Sequence, residues 1–582
     1  WKTGGDVLVG NETGATGTLT VDMSATVGVG GDMILGNSAG ARGTLSVDGA
    51  GTVVTVDKDV TVGSAGTGFL TVSGGGEVDT TNLTAAALAG SNGTILVTGT
   101  DSLLDVQGAL TVGGAGTGSL RIEAAGSVAS LGAMIGTAAG ATGTVTLNGA
   151  GSNWSNTGLL TIGSAGTGNL ILEAGADVTT DTAAAGALQG GSGTIRVTGT
   201  GSTLATNGAL TLGGAGTGSL TVEAGGAVIS ASAVLGDQSG GTGTVVVTGD
   251  GSSWTNDGLL VVGNAGSATL TVEAAGSAIT GSATLGALAD GSGTIHVTGE
   301  GSSLEVADAL VVGAAGSGLL DINSAGTVTT GALTAGLSAG GSGAINLSGS
   351  GSSLAVTDAL IVGAAGDASL SIGLGANATA GSATIGSETD GTGTIALTDD
   401  GSTLDVADTL TVGDAGAGAL TVGNGAAVSA ADVILGADAS GTGTAVVSNA
   451  GSTLTVGGSL AVGLAGTGAL TIDAGGTVTA AGALIGALAG SEGTVLVNAA
   501  GSDLAVSGEL IVGGAGTGLL QVTAGGTLES ADAVIGNGAT GIGSVTVAGL
   551  GSVWTVAGDI TIGEAGAGAL TISGQGAITV DG

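Results

Sequence analysis

Apolar and polar residues alternate along short segments that are separated by glycine-rich stretches. In residues 219–224, for example, Leu220 and Val222 flank Thr221. Alternation with a period of two, bounded by Gly, Ser, Asn and Asp, predicts β-strands with one buried face. Helices are disfavoured because each interior Gly costs about 1 kcal/mol relative to Ala, and glycines recur every few residues.

The pattern repeats every 50 residues. The stretch GSAGTGFLTV at 63–72 returns in related form up to GEAGAGALTI at 563, which makes eleven copies. Gly63, Ala65, Gly66 and Leu70 have the same residue type in every copy. So strict a period indicates a repeat architecture, in which stacked units share one continuous core.

Each unit divides into two related halves of about 25 residues. Leu220, Val245 and Leu270 are evenly spaced along the chain. The corner glycines instead alternate between a shorter and a longer interval, as in the series Gly213, Gly236 and Gly263. One half-unit cannot bury its own core, so we expect it to be one coil of a stack. Three short strands are expected per coil, for example at 209–213, 219–224 and 227–231.

We therefore predict an all-β fold, a parallel β-solenoid or β-helix of about 23 coils. Right-handed winding is expected from the general preference of parallel connections. Coils stacked at the strand spacing of about 4.8 Å would extend over roughly 110 Å. Residues 1–50 are predicted to form slightly irregular first coils, and residues 51–582 one continuous, elongated domain of regular repeats.

The alternation also predicts which side chains face the core. The column from Leu70 to Leu570 is Leu in all eleven copies and is expected to point inward. The column of Thr71 is mixed and mostly polar, and is expected to face solvent. Thr-rich outward strands are typical of ice-binding solenoids, but this column interrupts such an array with Arg121, Ile171, Asp321 and Gln521.

Charge limits the possible partners. The formal net charge is −40, and the only basic residues are Lys2, Arg42, Lys58, Arg121 and Arg196. Phosphate backbones are bound by clustered Lys and Arg, so nucleic acid and anionic membranes are not expected partners. No apolar run approaches the length of a membrane span. Cysteine is absent, so no disulfide framework exists, and because the chain begins at Trp1 we expect a processed or partial gene product.

Three consecutive motifs resemble the passenger repeats of bacterial autotransporters (type V secretion). They are GSxW or GSxL, then LxVGxAGTGxLTV, then xAGGxV, as in Gly251-Ser252-Ser253-Trp254 followed by residues 260–266. The resemblance covers nearly the whole chain and implies a secreted, surface-displayed β-helix that serves adhesion or self-association. The membrane barrel that follows such passengers lies outside this sequence, so either it was removed or the protein is a relative that works without one.

The glycine-rich segments are interpreted as corners. Gly113 to Gly118 has neither the Lys of a P-loop nor the strand-to-helix context of a dinucleotide site. Its spacing also lacks the Asp and nine-residue period of a calcium-binding β-roll. Asp308, Asp358 and Asp408 replace the glycines found elsewhere in one column, and we expect this column to be a corner as well.

Two aromatic or titratable features are expected to be structural. Trp154, Trp254 and Trp554 share a column with Leu and are predicted to be core residues. His296 is the only histidine, which excludes a Ser-His-Asp triad within the chain, and it is expected to be a solvated surface residue.

A column of acidic residues is the strongest candidate for ion binding or catalysis. Glu123, Glu173, Glu223 and Glu273 recur at 50-residue spacing, and the intervening coils place Asn148, Thr198 and Thr248 in the same column. A solvated stripe is the preferred interpretation, with weak divalent-ion binding as the alternative. Glycosidase chemistry requires two carboxylates about 5–10 Å apart, and no break in the repeat indicates a cleft.

The sequence thus predicts a structural extracellular β-solenoid, the stalk or passenger of a bacterial surface adhesin, without catalysis. No catalytic, cofactor-binding or metal-binding residue is assigned. The alternative is a filament or surface-layer subunit joined end to end through its terminal coils. Expected partners are other copies of the chain and a host or neighbouring-cell surface.

Overall fold

The fold was described from a computed structural model, which describes residues 1–581. The prediction of a parallel β-solenoid is confirmed: about 23 coils of about 25 residues stack to form two sheets. Within the described residues there is no helix, and hence none long and apolar enough to cross a membrane.

The first sheet, called here the short-strand sheet, contributes one strand per coil. Its strands are Thr16–Val21, Arg42–Asp48, Thr67–Ser73, Asn92–Thr98, Thr117–Glu123, Thr142–Asn148, Thr167–Glu173, Ser192–Thr198, Thr217–Glu223, Thr242–Thr248, Ser267–Glu273, Ser292–Thr298, Ser317–Asn323, Ser342–Ser348, Asp367–Gly373, Thr392–Leu397, Ala417–Gly423, Thr442–Ser448, Thr467–Asp473, Glu492–Asn498, Thr517–Thr523, Ile542–Ala548 and Ala567–Ser573.

The second sheet, called the bent-strand sheet, contains most of the remaining residues of each coil. Its strands are Lys2–Thr3, Val7–Val9, Thr26–Val29, Met33–Leu35, Val53–Val62, Glu77–Ala85, Leu103–Val112, Ser127–Ile135, Asn153–Ile162, Asp177–Ala185, Thr203–Leu212, Ala227–Leu235, Ser253–Val262, Ser277–Leu285, Ser303–Val312, Thr327–Ala335, Ser353–Val362, Asn377–Ile385, Thr403–Val412, Ala427–Leu435, Thr453–Val456, Ser459–Val462, Thr477–Ala480, Gly482–Ile485, Asp503–Val512, Thr527–Ile535, Val553–Val556, Ile560–Ile562 and Ala577–Val580.

The bent strands refine the prediction of three strands per coil. In most coils two of the three segments join into one long strand, and the register shifts where they meet, as between Asn156 and Leu159. A bulge of this kind bends a strand without ending it. In a few coils the two segments remain separate, as in Thr453–Val456 and Ser459–Val462.

Register explains the two-coil period. In the short-strand sheet every step from coil to coil has the same length, as in the series Leu120, Val145 and Leu170. In the bent-strand sheet Trp154 pairs with Val128 on one side and Val178 on the other, so a longer step is followed by a shorter one. The steps differ because strands of ten and nine residues alternate, as in Asn153–Ile162 and Asp177–Ala185. The 50-residue repeat is the smallest unit that returns to the same register.

The core consists of apolar columns from both sheets. Leu70 and its equivalents through Leu520 are buried, with exposed fractions of 0 to 1%. Leu570 in the last coil is half-buried. The column of Thr71 faces outward, as predicted. Apolar burial, at about 25 cal/mol per Å², therefore adds up coil by coil along these columns.

A buried hydroxyl closes one corner of every second coil. The residues are Thr52, Ser102, Ser152, Ser202, Ser252, Ser302, Ser352, Ser402, Ser452, Ser502 and Ser552, each 0 to 1% exposed. The Ser202 hydroxyl donates to Thr198 O at 2.8 Å and accepts from Gly175 N at 2.9 Å. The Ser of the GSx motif is therefore a corner clamp between neighbouring coils.

The column of Asp308, which was predicted to be a corner, lies within a strand. Asp308, Asp358 and Asp408 lie inside long bent strands, at the bulge. None of the three has a positive φ. The true left-handed corners lie elsewhere, for instance at the column of Gly63. Asp replaces Gly at the bulge without adopting a left-handed backbone, so the expected need for a positive φ at this column is wrong.

By contacts the chain divides into two compact units. The first comprises Trp1–Ala283, Asp290–Ile295 and Gly301–Leu304. The second comprises Thr284–Ala289, His296–Glu300 and the chain from Glu305 onward. Each unit contains both sheets and the same inward and outward columns.

Candidate functional site

The three internal tryptophans lie in the core, as predicted. Trp154 and Trp554 are 0% exposed and Trp254 is 1% exposed. Each indole Nε1–H donates to a serine hydroxyl of the preceding coil, at 3.0 to 3.1 Å. The serines are Ser130, Ser230 and Ser530. A buried Trp therefore keeps its only polar atom satisfied.

In two of the three coils this contact extends into a buried polar network. Ser230 Oγ donates to Asn256 Oδ1 at 2.9 Å, and Asn256 Nδ2 donates to Thr280 Oγ1 at 3.0 Å and to Gly258 O at 3.0 Å. Asn156 makes the equivalent contacts in its coil. Each amide is thereby satisfied by groups from the coils on both sides.

This network was missed at the sequence level, although a signal exists. Each Trp occurs where the residue 24 positions earlier in the chain is Ser, as in the pair Ser230 and Trp254. Where that earlier residue is Thr or Ala, as at Thr180 and Ala380, the column contains Leu204 and Leu404. A hydroxyl with no neighbouring methyl group leaves room for the indole and accepts its hydrogen bond.

The acidic column is a polar ladder. In the short-strand sheet Asn148 is paired in register with Glu173, and its Nδ2 donates to Glu173 Oε1 at 2.9 Å. Glu123 forms an ion pair with Arg121 at 2.6 Å, and Glu223 forms one with Arg196. The interleaving of acids with neutral partners is confirmed, and it keeps like charges from facing each other at strand distance.

His296 has a partner that was not predicted from the sequence. Its Nδ1 lies 3.2 Å from Asp321 Oδ2 in the next coil, and its side chain is 37% exposed. Asp321 also accepts a hydrogen bond from Asn323 Nδ2 at 3.0 Å. The imidazole thus belongs to a surface pair, and its partner is recognisable in the sequence as the acid one coil later.

The glycine-rich loops are corners packed against backbone. Gly113 has a φ of 79°, and a Cβ placed on it would lie 2.4 Å from Thr142 O. A Cβ on Gly116 would lie 2.4 Å from Ser91 O. These glycines are required because neighbouring coils approach too closely for any side chain.

Two carboxyl groups have raised pKa values. Asp79 lies in register between Thr55 and Asp105 on the outer face of the bent-strand sheet. Burial, followed by the charges of Glu77 and Asp105, raises its pKa to about 6. Burial and the charge of Asp438 raise the pKa of Asp414. Both shifts follow first from burial and then from the negative charge of nearby acids.

Shallow cavities follow the bend of the bent strands. One of about 370 Å³ is lined by residues that include Val456, Thr479 and Glu529, and another of about 280 Å³ by residues that include Glu305 and Thr330. Small side chains dominate both linings. Within residues 1–581, no group of three or more His, Cys, Asp or Glu side chains is arranged to hold a metal ion.

Comparison with known proteins finds a likeness to solved structures, among them one fragment described here. No protein-family model and no curated protein matches the chain. A solved structure of a TibA fragment, hyper-glycosylated by TibC, is 16% identical and covers 82% of this chain and 99% of its own, with a TM-score of 0.23. A TM-score this low carries no argument about function, and the fold described above follows from the strand pairing.

Proposed function

We propose that the chain is a structural β-solenoid, the stalk or passenger of a bacterial surface adhesin. The observation that carries the proposal is the repetition of one buried column and one backbone register from coil to coil. Backbone groups paired on both sides leave little local freedom, so such a body resists bending and local opening. Rigidity over a long repeat suits a spacer that presents a binding surface at a distance.

The proposed location is the cell surface, because the sequence resembles autotransporter passengers. Antibodies raised against the purified chain are expected to label intact, unpermeabilised cells. Labelling that requires permeabilisation would contradict this location. The proposed partners are a host or neighbouring-cell surface and other copies of the chain.

The chain is proposed to have no catalytic activity. The carboxylates of Glu173 and Glu223 are engaged by Asn148 and Arg196 and lie on an open strand face. Incubation with common polysaccharides is expected to release no reducing ends or unsaturated sugars. Turnover that disappears in Glu173→Gln or Glu223→Gln would overturn this part of the proposal.

End-to-end assembly is the second candidate function. Among the described residues, the strands of the last coil pair on one side only, and Ile562 and Ile572 are 50% and 51% exposed. The strands of the first coil are likewise paired on one side. A further coil of the same polypeptide or a second copy can pair with either edge.

Electron microscopy of the purified 582-residue chain separates the two candidates. Threads longer than the roughly 110 Å expected for about 23 coils at strand spacing would support end-to-end assembly. Discrete rods of that length at all concentrations would exclude it for this chain and would leave the stalk proposal standing.

A further inference from the structure

Two neighbouring columns on the outer face of the short-strand sheet contain almost only hydroxyl side chains. In seven successive coils the first column consists of Thr117, Thr142, Thr167, Ser192, Thr217, Thr242 and Ser267. The second consists of Ser119, Thr144, Asn169, Thr194, Ser219, Thr244 and Thr269. This set is called the hydroxyl array. All of it lies in the first compact unit.

Strand pairing sets the spacing of the array. Thr142 pairs with Thr117 and Thr167, and Thr144 pairs with Ser119 and Asn169. The same register continues to the strand Ser267–Glu273. Rows are therefore about 4.8 Å apart along the stack, and the two columns are about 6.6 Å apart across it, because side chains two residues apart share a face.

The array is accessible and uncharged. Thr217 and Thr194 are exposed, Thr144 is half-buried, and none of the array side chains is buried. Threonine is also stiff at χ1, and each strand is hydrogen-bonded on both sides, so the hydroxyl and methyl groups of the array threonines are held in place. Because folding already orders this surface, little side-chain conformational entropy is lost when a ligand binds.

The array is distinct from the rest of the sheet. The third column on the same strands, that of Thr71, is mixed and includes Arg121 and Arg196. The next coil continues the two columns with Ser292 and Thr294. Farther along the sheet the columns are interrupted by charged or apolar residues such as Phe69, Leu319 and Asp367. The mixed column of Thr71 argued at the sequence level against an ice-binding face, but it adjoins the array and is not part of it.

We propose that the hydroxyl array is a binding face for ice. Seven equivalent rows can all be engaged at once only by a ligand that repeats at a similar spacing, and the oxygen lattice of ice does so. Threonine and serine hydroxyls can take positions in a water lattice, and the methyl groups fit between them. Each hydrogen bond contributes only about 0.5–1.5 kcal/mol, but the contributions combine because the rows are rigidly connected.

Other ligand classes fit the array less well. No charged side chain occupies it, so anions and cations have no counter-charge there. Trp154, Trp254 and Trp554 are buried and Phe69 lies beneath Arg42, so the array offers no aromatic face for a sugar ring. A crystalline polysaccharide remains the ligand that the test must separate from ice.

The test uses the purified full-length chain and measures thermal hysteresis and incorporation into slowly growing ice. The parent chain is expected to depress freezing below melting and to be enriched in the ice. Thr217→Tyr, in the middle of the first column, is expected to reduce both effects several-fold, whereas Thr217→Ser reduces them only slightly. Thr248→Tyr lies on the neighbouring strand in the acidic column, outside the array, and is the matched control that is expected to behave like the parent.

Circular dichroism and melting curves establish that the variants remain folded, which the exposure of Thr217 favours. The proposal is overturned if the parent chain is excluded from ice, or if Thr217→Tyr and Thr248→Tyr lose activity equally. Binding to crystalline cellulose or chitin that Thr217→Tyr abolishes, without any effect on ice growth, would also overturn it and would assign the array to a polysaccharide. The test does not depend on the proposed adhesin role.

Discussion

Glycines at the corners are required for two separable reasons, the sign of φ and the lack of space. Gly213 has a φ of 71°, and a Cβ on it would lie 2.1 Å from Thr242 O. Gly240 has a φ of 81°, but a Cβ on it would meet nothing within 4 Å. The two positions therefore isolate backbone strain from steric overlap.

Gly240→Ala is expected to cost about 1–2 kcal/mol, the penalty of left-handed backbone for an L-residue. Gly213→Ala is expected to cost more, because the neighbouring coil must also move. Amide hydrogen exchange in the strand Thr242–Thr248 measures the local opening free energy of each variant. Equal protection in the two variants would contradict the steric argument.

Ser230 is expected to contribute to stability through the two partners it satisfies. Ser230→Ala leaves Trp254 Nε1 without its acceptor and Asn256 Oδ1 without its donor, and unsatisfied buried groups cost about 1–3 kcal/mol. Ser530→Ala is the matched control, because position 556 is Val and only the indole loses a partner. Hydrogen exchange of the adjoining strands should show the larger loss for Ser230→Ala, and the reverse order would argue against the network.

Asp79 is expected to make stability depend on pH. Its pKa of about 6 in the folded chain exceeds the ordinary value of 3.8, so the folded state binds this proton more tightly than the unfolded state. The ionised group is therefore destabilising above about pH 6, and the penalty disappears as the pH falls towards 3.8.

The corresponding test compares Asp79→Asn with the parent chain. The variant is expected to melt higher than the parent at pH 7.5, and the difference should shrink at pH 4.5. Asp250→Asn, at an exposed corner, is the control and should change the melting temperature little at either pH. A pH-independent difference for Asp79→Asn would show that burial and Asp105 do not act as described.

At the scale of the element, corner clamps hold each pair of coils together. Ser202 is 0% exposed, and its hydroxyl joins Thr198 O to Gly175 N. Ser202→Ala is expected to leave both groups unpaired and to cost about 1–3 kcal/mol locally. The expected result is that the Gly175 amide of Ser202→Ala loses its protection from hydrogen exchange. Thr203→Ala, at a half-buried position, is the control and should leave that amide protected. Retained protection at Gly175 in Ser202→Ala would mean that the clamp is dispensable.

At the scale of the whole molecule, the two-coil register is the unit of the fold. Deletion of residues 203–252 removes one complete 50-residue unit and joins coils of the correct type. We expect the shortened chain to remain folded, because contacts in a solenoid are made between neighbouring coils. Deletion of residues 203–227 removes a single coil and places two coils of the same type next to each other. The alternation of longer and shorter steps in the bent-strand sheet would then fail.

Far-UV circular dichroism and protease resistance distinguish the two deletions. The 50-residue deletion should match the parent chain in strand content per residue, and the single-coil deletion should lose resistance near the junction. Equal behaviour would show that the two coil types are interchangeable. Local protection is a better measure than one global free energy, because long repeat arrays do not unfold in a single cooperative step.

Most of the fold follows from the sequence because the same pattern of apolar, polar and glycine positions occurs in every repeat. The inward column of Leu70, the outward column of Thr71 and the corner at Gly63 were all predicted from alternation and period, and the structure confirms them. The candidate residues Trp254 and Glu173 were likewise placed correctly in the core and on the strand face.

The sequence by itself determined the coil, its length and its inward face, since hydrophobic alternation and glycine spacing are local properties of the chain. Only the tertiary structure decided what lies between coils. It joined two segments into one bent strand, moved the Asp308 column from a corner to a bulge, and paired Trp254 with Ser230. It also distinguished the hydroxyl array from the mixed column beside it. Those features depend on register between residues of successive coils, and register is fixed only when neighbouring coils pack.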